Sequence, residues 1–287
     1  MTKICLTIAG VDPSGGAGII ADIKTFSAFD CFATAAIASL TFQNTQGVFG
    51  VENQTAETVR RQVEPILDDF EISAVKTGML PTREIIEEVA RLVRENNLPN
   101  FVVDPVVRST SGFDLIDDEA LKALIEKLFP LSILITPNIP EAERIAKMKI
   151  ENFADIEKAA RKMQSFGAKN VLIKGGHLPI SDFGLPILDL DLSSKSEVQS
   201  PKSEKRKARD FLFTGEGLHV FEAEFIETTA THGTGCTLAA AIAANLALGK
   251  TLIESVEIAK KFVTEAIKTA PNIGKGNSPV NHSVRIS

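Results

Sequence analysis

Short apolar runs alternate with longer segments of helical period along most of this chain, and this alternation limits the possible folds more than any other feature. It is typical of βαβ units built around a largely parallel sheet. The predicted helices cover residues 18–29, 55–69, 83–95, 118–128 and 154–166. The predicted strands cover residues 4–9, 74–77, 101–104, 132–136 and 170–174. We therefore expect an α/β fold whose strands are buried on both faces.

The length and charge of the chain favour one domain that acts on small molecules. A chain of 287 residues with 44% hydrophobic content can bury one large core, so we expect a single domain over residues 1–287. The formal net charge is -6. Nucleic acids and anionic membranes need clustered positive charge, so neither is expected as a partner.

The cysteines and apolar runs predict a cytoplasmic protein. Cys5, Cys31 and Cys236 follow no CxxC or CxH spacing, so neither a disulfide framework nor a zinc site is indicated. The first apolar run stops at Asp12-Pro13, which is typical of a strand entering a turn rather than of a signal peptide. The longest later run, residues 238–248, is too short to cross a bilayer.

One segment, residues 193–209, is rich in Ser, Lys, Glu and Arg and contains no aromatic residue. This composition cannot supply a packed core, so we expect a mobile surface insertion. Lys205, Arg206 and Lys207 form a basic cluster that could contact phosphates. A solvated loop is the favoured interpretation, because charge runs usually serve only to hydrate a surface.

The strongest functional signal is the segment from His232 to Thr237, which opens directly into a helix of small residues. Glycines let the backbone approach a phosphate closely, and the free N–H groups of the first helical turn point at it. Phosphoryl transfer needs such donors because its transition state spreads negative charge over oxygens. A tight strand-to-helix turn without function is the alternative.

Cys236 lies inside this segment, at the start of the predicted helix. A thiol at a helix N-terminus has a lowered pKa and can accept the proton of a substrate hydroxyl. We interpret Cys236 as a catalytic base, with a small buried packing residue as the alternative.

A second glycine cluster, residues 10–18, also lies between a strand and a helix. Asp12 and Pro13 interrupt the G-x-G-x-x-G pattern, so a dinucleotide-binding dehydrogenase is left only as an alternative. The sequence contains no G-x-x-x-x-G-K-[ST] loop either. A protein of this sequence that uses ATP must therefore bind phosphate at a helix terminus.

Polar groups follow several predicted strands and should share one crevice at the carboxyl edge of the sheet. Gln43 offers an amide suited to the edge of a polar heterocycle, although a simple turn is the alternative. Asn138 and Glu141 could hold Mg²⁺ through water, with helix capping as the alternative. Lys174 ends a buried strand and needs an acidic partner, for which a phosphate is a candidate.

These motifs occur in order through nearly the whole chain, at residues 9–18 (AGVDPSGGAG), 43–45 (QNT), 76–80 (KTGML), 104–106 (DPV), 136–141 (TPNIPE), 174–177 (KGGH) and 231–237 (THGTGCT). Together they resemble the bacterial hydroxymethylpyrimidine/phosphomethylpyrimidine kinases of thiamine biosynthesis, in the ribokinase-like superfamily. The resemblance implies a three-layer α/β/α fold with a mostly parallel sheet, and a homodimer. It also implies transfer of the ATP γ-phosphate, with Mg²⁺, to 4-amino-5-hydroxymethyl-2-methylpyrimidine and then to its monophosphate.

The resemblance also implies roles for individual residues. Gln43 would hydrogen-bond the pyrimidine, and Gly10, Asp22 and Met79 would line its pocket. Lys174, Asn138 and Thr234 would bind ATP, while Glu141 and Asn138 would organise the metal. Gly233 and Gly235 would form an anion hole, and Cys236 would be the base.

Two other functions remain open. Many ribokinase-like sugar kinases carry aspartate at the position of Cys236, so the cysteine points to the pyrimidine and pyridoxal branch. The nearest alternative is a pyridoxal or pyridoxine kinase, or another ribokinase-like kinase that acts on a small molecule such as a sugar. A non-catalytic ligand sensor on the same scaffold is the other. It is disfavoured because a sensor needs neither the base nor the metal-binding groups.

Overall fold

The computed structural model describes residues 1–108, 114–175 and 206–285, and a sheet of nine strands runs through the centre of this part of the chain. The strands are β1 (Ile4–Val11), β2 (Phe32–Asn44), β3 (Gly47–Asn53), β4 (Ala74–Thr77), β5 (Phe101–Val103), β6 (Leu134–Ile135), β7 (Val171–Lys174), β8 (Lys207–Phe213) and β9 (Leu218–Glu224). Their order across the sheet is β3-β2-β1-β4-β5-β6-β7-β8-β9.

The middle of the sheet is parallel and its two ends are antiparallel. The pairs from β2 through β1, β4, β5 and β6 to β7 are all parallel. Strand β3 pairs antiparallel with β2 at one end, and β8 and β9 are antiparallel at the other. The carboxyl ends of the parallel strands therefore meet at one edge, where ligands bind in open α/β sheets.

Helices connect most of these strands. They are α1 (Gly18–Ala28), α2 (Ala56–Asp69), α3 (Arg83–Glu95), α4 (Asp118–Ala123), α5 (Ile139–Ala146), α6 (Phe153–Ser165), α7 (Thr234–Ala247) and α8 (Leu252–Lys268). A π-helical turn at Leu124–Leu128 and a 3-10 turn at Phe129–Leu131 extend α4. Thr55, Thr82 and Thr251 cap their helices by accepting backbone N–H bonds, each worth about 1 kcal/mol.

The helices cover both faces of the sheet, so the molecule has three layers. Leu6 and Ile8 of β1 belong to a core shared with α2 through α6. Cys5 of the same strand belongs to a second core shared with α1, α7 and α8. Successive residues of a strand point to opposite faces, so one β1 sequence serves both cores. The predicted three-layer α/β/α fold with a mostly parallel sheet is confirmed.

Helix α7 is the most deeply buried helix element near the predicted phosphate site. Every residue from Thr237 to Ala247 is buried, and most of them are alanine. Small side chains let α7 pack closely against the sheet, α1 and α8. Its N-terminus is therefore held on a rigid element.

The prediction of a mobile insertion over residues 193–209 was wrong for its last residues. Lys207, Ala208 and Arg209 begin β8, whereas residues 193–205 lie outside the described part of the chain. Both basic side chains pair with Glu222 of β9, with Lys207 Nζ 2.6 Å from the carboxylate. Charge alone therefore did not distinguish a loop from a strand with a solvated face.

Within the described residues, no helix combines the length and apolar character that crossing a bilayer requires.

Candidate active site

One cavity of about 930 Å³ opens at the carboxyl edge of the parallel strands. It brings together almost all the residues that the sequence pointed to: Gly10, Gln43, Met79, Asn138, Glu141, Lys174, Gly233, Thr234, Gly235 and Cys236. Gly176 and His177 of the predicted 174–177 motif lie outside the described residues. Segments far apart in sequence therefore share one space, as the crevice prediction required.

The predicted phosphate loop forms the N-terminus of α7. Gly233 is the N-cap of this helix and has φ 83°, a left-handed conformation that favours glycine. A Cβ at Gly233 would lie 1.7 Å from the carbonyl oxygen of Gly16, so the loop also packs too closely for any side chain. At Gly235, a Cβ would lie 3.3 Å from Lys174 Nζ. Bare backbone and a lysine ammonium thus meet at a helix start, which suits an anion.

Lys174 finds its acidic partners within the protein. Its Nζ lies 2.9 Å from Asp104 Oδ1 and 4.0 Å from Glu141 Oε2. Burial alone would lower the pKa of Lys174, but these two carboxylates raise it. Asp104 also accepts a hydrogen bond of 3.0 Å from Thr136 Oγ1. Because Lys174 also lines the cavity, it can neutralise these carboxylates and still face a bound phosphate.

Asn138 and Glu141 form a capping box at the start of α5. Asn138 Oδ1 accepts from the Glu141 N–H at 2.9 Å, and Glu141 Oε2 accepts from the Asn138 N–H at 2.7 Å. The capping alternative is therefore realised, and it fixes the Glu141 carboxylate at the cavity wall. Burial raises the pKa of Glu141 to about 7, although Lys174 acts in the opposite direction. A buried carboxylate of this kind gains from an additional cation.

The thiol of Cys236 has a high pKa, contrary to the prediction from its helix position. Burial raises the pKa of Cys236 to about 11, and the nearby carboxylates of Asp22 and Asp104 act in the same direction. The charge of Lys76 and a hydrogen bond from the Gly18 N–H lower the pKa, but not enough. Desolvation thus outweighs the helix N-terminus, and in the protein without ligands the thiol is neutral at pH 7.

Asp22 does not line the cavity, contrary to the prediction for this residue. Its side chain is fully buried, and both of its carboxylate oxygens lie 2.9 Å from Lys76 Nζ. Thr7 donates a further hydrogen bond of 2.6 Å. No local pattern predicts this contact, because Asp22 lies on α1 and Lys76 on β4. Asp22 therefore neutralises a buried lysine behind the site.

His232 and Asp12 are two site residues that the sequence reasoning did not assign. His232 Nε2 lies 2.7 Å from Asp12 Oδ2, and both residues line the cavity. Asp12 also accepts from the backbone N–H groups of Ser14, Gly16 and Ala17. Although burial would raise the pKa of Asp12, the bonds from His232 and Ser14 lower it to about 2. The Asp-Pro-Ser-Gly sequence, typical of a side-chain-to-backbone turn, was the available signal.

A further group of residues that line the cavity was not predicted either. They come from β9, the segment after it and α8, and include Phe225, Ile226, Lys260, Val263 and Ile267. Lys260 Nζ is paired with Asp210 Oδ2 at 2.7 Å. These residues line the same cavity as Lys174 and Glu141, and its volume of about 930 Å³ has room for two ligand groups.

The fold and the site define a ribokinase-like small-molecule kinase: a three-layer α/β fold has one cavity at the carboxyl edge of its parallel strands, lined by the glycine-rich start of α7 and by Lys174. A family model described as phosphomethylpyrimidine kinase matches residues 12–281. The chain therefore belongs to the phosphomethylpyrimidine kinase family, as its motifs predicted.

Known proteins of this kind are similar over nearly their whole length. The hydroxymethylpyrimidine/phosphomethylpyrimidine kinase of Bacillus subtilis is 42% identical over 277 residues, which is 96% of this chain and 93% of that protein. A crystal structure of phosphomethylpyrimidine kinase from Clostridium difficile is 38% identical with a TM-score of 0.74, covering 93% of this chain and 100% of the other. An ADP complex of Bacillus subtilis pyridoxal kinase is 36% identical with a TM-score of 0.82, covering 99% and 98%.

Proposed function

We propose that this kinase transfers the γ-phosphate of ATP to the hydroxymethyl group of 4-amino-5-hydroxymethyl-2-methylpyrimidine, and then phosphorylates the monophosphate to the diphosphate. The observation that carries the proposal is that Gln43, Lys174 and the start of α7 all line one cavity. An amide that can read a heterocycle thus shares a space with groups that bind phosphate.

The proposed roles follow from what each group can do. The Gln43 amide recognises the pyrimidine edge, while Gly10 and Met79 line the ring pocket. The backbone at Gly233 and Gly235 stabilises the negative charge that develops on the transferred phosphoryl group. Lys174, Asn138 and Thr234 contact the nucleotide phosphates. Cys236 accepts the proton of the attacking hydroxyl.

Magnesium fits the side chains at the cavity only if ATP phosphates supply some of its ligands. The described residues contain no group of three or more His, Cys, Asp or Glu side chains that could hold a metal alone. Mg²⁺ in kinases is usually held by one or two carboxylates, water and substrate phosphates, and Glu141 lies at the cavity wall beside Asn138. We therefore propose that Mg²⁺ arrives with ATP and is organised through Glu141 and Asn138. When bound, it would neutralise charge on the phosphates.

A direct assay tests the proposal. Purified protein with ATP and Mg²⁺ should consume ATP when the pyrimidine alcohol is added, and again when the alcohol has been converted to its monophosphate. Pyridoxine and ribose, supplied at equal concentration, are the comparison substrates. A kcat/KM for pyridoxine well above that for the pyrimidine alcohol would overturn the assignment.

The second candidate activity is that of a pyridoxal kinase, because a pyridoxal kinase structure superimposes on this chain with a TM-score of 0.82. Both substrates are flat heterocycles with a hydroxymethyl group, so the same phosphate machinery could serve either. The two differ at the ring edge that Gln43 would read. The ratio of the two kcat/KM values therefore decides between them.

We further propose a homodimer formed through the β2–β3 hairpin. Phe42 and Phe49 of this hairpin are 53% and 71% exposed, and Leu40 and Ile273 are also exposed. Strand β3 is the last strand of the sheet at its end. Exposed apolar side chains on an edge strand are a surface that a second copy can cover.

A cytoplasmic location, where ATP is available, stays a prediction.

A further inference from the structure

The C-terminal strap, which we define as residues 273–282, contacts both the turn between β2 and β3 and the loop before α7. It begins after α8 and crosses the turn between β2 and β3, then runs beside the loop before α7. Its second half is buried: Ser278 is 4% exposed, Val280 2% and His282 7%. No motif that pointed to the function lies in this segment.

The first attachment is to Thr45, in the turn two residues after Gln43. Thr45 Oγ1 accepts hydrogen bonds of 3.2 Å from the N–H groups of Lys275 and Gly276, and the Thr45 carbonyl accepts one of 2.8 Å from Asn277. A Cβ at Gly276 would lie 2.1 Å from the Thr45 oxygen. The strap backbone is therefore pressed directly against the turn.

The second attachment is to the phosphate loop. The His232 N–H donates to the Ser278 carbonyl at 3.3 Å, and Pro279 forms a parallel bridge with His232. A Cβ at Gly16 would lie 2.9 Å from Pro279 Cβ, so the strap also packs on the loop that Asp12 organises. Asn277 bonds the hairpin turn and Ser278 bonds the phosphate loop. Two consecutive residues of the strap therefore connect the hairpin turn with the phosphate loop.

The third attachment reaches the first turn of α7. His282 Nε2 lies 3.1 Å from Thr237 Oγ1, which donates its one proton to the Gly233 carbonyl at 2.8 Å. His282 Nε2 must then be the donor to Thr237. Burial lowers the pKa of His282 to about 4, so the ring is neutral and Nε2 carries its proton. His282 thus bonds the Thr237 hydroxyl, and that hydroxyl in turn bonds the Gly233 carbonyl at the start of α7.

From these contacts we infer that Thr45 is a positioning residue: through the strap, it sets the distance between the hairpin that carries Gln43 and the phosphate loop at His232 and Gly233. The inference rests on the proposed function, because it assumes that the pyrimidine binds at Gln43. Displacing a reacting group by about 1 Å can cost about 100-fold in rate. The distance between the β2–β3 hairpin and the loop before α7 must therefore be held constant, and the strap contacts both.

The test is Thr45→Val, which keeps the shape of the side chain and removes the oxygen that accepts two N–H bonds. Both N–H groups are near the surface and can bond water, so the melting temperature should change by no more than about 2 °C. We expect kcat/KM for the pyrimidine alcohol to fall about tenfold, with KM for ATP unchanged. Thr45→Ser, which keeps the oxygen, should restore wild-type values.

Gly276→Ala is an independent perturbation, because its methyl group would force the strap away from Thr45. It should reproduce the kinetic pattern of Thr45→Val. Gly215→Ala is the matched control, since a Cβ there meets nothing within 4 Å, and its kinetics should equal those of the wild type. Wild-type kcat/KM in Thr45→Val, or an equal rise in KM for ATP, would overturn the inference.

Hydrogen exchange of the unliganded protein separates this inference from the substrate assignment. Thr45→Val should speed amide exchange in peptides covering residues 273–282 and also in those covering residues 231–237. If the wild type fails to phosphorylate the pyrimidine alcohol, the proposed function fails while this comparison still stands. Exchange at residues 231–237 that is unchanged by Thr45→Val would show that the strap does not link the hairpin turn with the phosphate loop.

Discussion

At the residue scale, the protonation of the Cys236 thiol decides its chemical role. With a pKa near 11, only about one thiol in ten thousand is ionised at pH 7 in the protein without ligands. General bases work best with a pKa near the working pH. If Cys236 is the base, its charge state must change during the reaction, and Lys76 is the cation already placed to favour the thiolate.

We therefore predict that kcat/KM of the wild type rises with pH from about 7 to about 9, since the thiolate fraction grows about tenfold per unit below the pKa. Cys236→Ala should lower kcat about 100-fold or more and abolish this rise, while pyrimidine binding measured by calorimetry stays nearly intact. Initial rates across a pH series for both proteins provide the measurement. An equal slope in both would remove the base role from Cys236.

Burial of Glu141 makes its charged form costly to the stability of the fold. Its pKa is raised from 4.5 to about 7 by burial, so between these values the folded state binds more protons than the unfolded state. The contribution of this group to stability therefore falls as the pH rises through this window. A carboxylate kept under such conditions has a use that a neutral side chain would not serve.

Glu141→Gln tests this conclusion, because glutamine can still accept the Asn138 N–H and keep the helix cap. We expect the variant to melt at a higher temperature than the wild type at pH 8 and to lose this advantage near pH 5. Turnover with Mg²⁺ and ATP should fall about 10-fold to 100-fold. Thermal melts at both pH values, beside the kinetics, decide the matter. A variant that melts lower at both would mean that the Glu141 charge stabilises the fold.

Residue types at strand ends were predictable from the sequence, but their partners were not. Gln43, Asn138, Lys174 and Cys236 stood out because polar groups in a glycine-rich setting after a strand are typical of a site. Their charge states depend on neighbours that are distant in sequence. Lys76 and Asp22, on β4 and α1, form a buried pair that no local pattern marks.

At the element scale, the start of α7 depends on two separate properties of Gly233. Its left-handed φ of 83° disfavours any other residue, and its packing against Gly16 leaves no room for a side chain. Gly249, at the other end of α7, also has φ 83° but meets nothing within 4 Å. The chain thus offers two glycines with the same φ, of which only Gly233 is closely packed and lines the cavity.

We predict that Gly249→Ala lowers the free energy of unfolding by about 1 kcal/mol, the cost of the left-handed backbone, and leaves kcat unchanged. Gly233→Ala should cost clearly more and lower kcat about 100-fold, because the phosphate loop must move to accommodate the methyl group. Urea unfolding curves and initial rates on both variants provide the comparison. Equal effects of the two substitutions would mean that contact with Gly16 is unimportant for the site.

Element prediction succeeded where periodicity is strong and failed where it is weak. Residues 83–95 and 74–77 were predicted as they occur, because the helix is clearly amphipathic and the strand is wholly buried. Strands β3, β8 and β9 were missed, and of β2 only the end near Gln43 was expected. They form antiparallel pairs at the ends of the sheet, with charged or irregular exposed faces that resemble loops in composition.

At the scale of the whole molecule, the hairpin that carries Gln43 has two different surfaces. Gln43 and Val48 line the cavity, whereas Phe42 and Phe49 are exposed. The Phe42 ring also lies over Gly50 of β3, where a Cβ would come within 2.8 Å of it. A surface of this composition beside an unpaired edge is unusual in a monomer. Covering it with a second copy would also restrict movement of the hairpin that carries Gln43.

Phe49→Glu should therefore convert a dimer into a monomer, because a carboxylate placed in an apolar interface loses its hydration without a partner. Phe49 is 71% exposed within one chain, so its replacement should change the melting temperature of the monomer by no more than about 2 °C relative to monomeric wild type. Sedimentation equilibrium of both proteins at the same concentration measures the change. Since the interface would brace the substrate hairpin, we also expect KM for the pyrimidine alcohol to rise. A wild type that sediments as a single chain at concentrations used in the kinetic assays would show that the exposed phenylalanines serve another purpose.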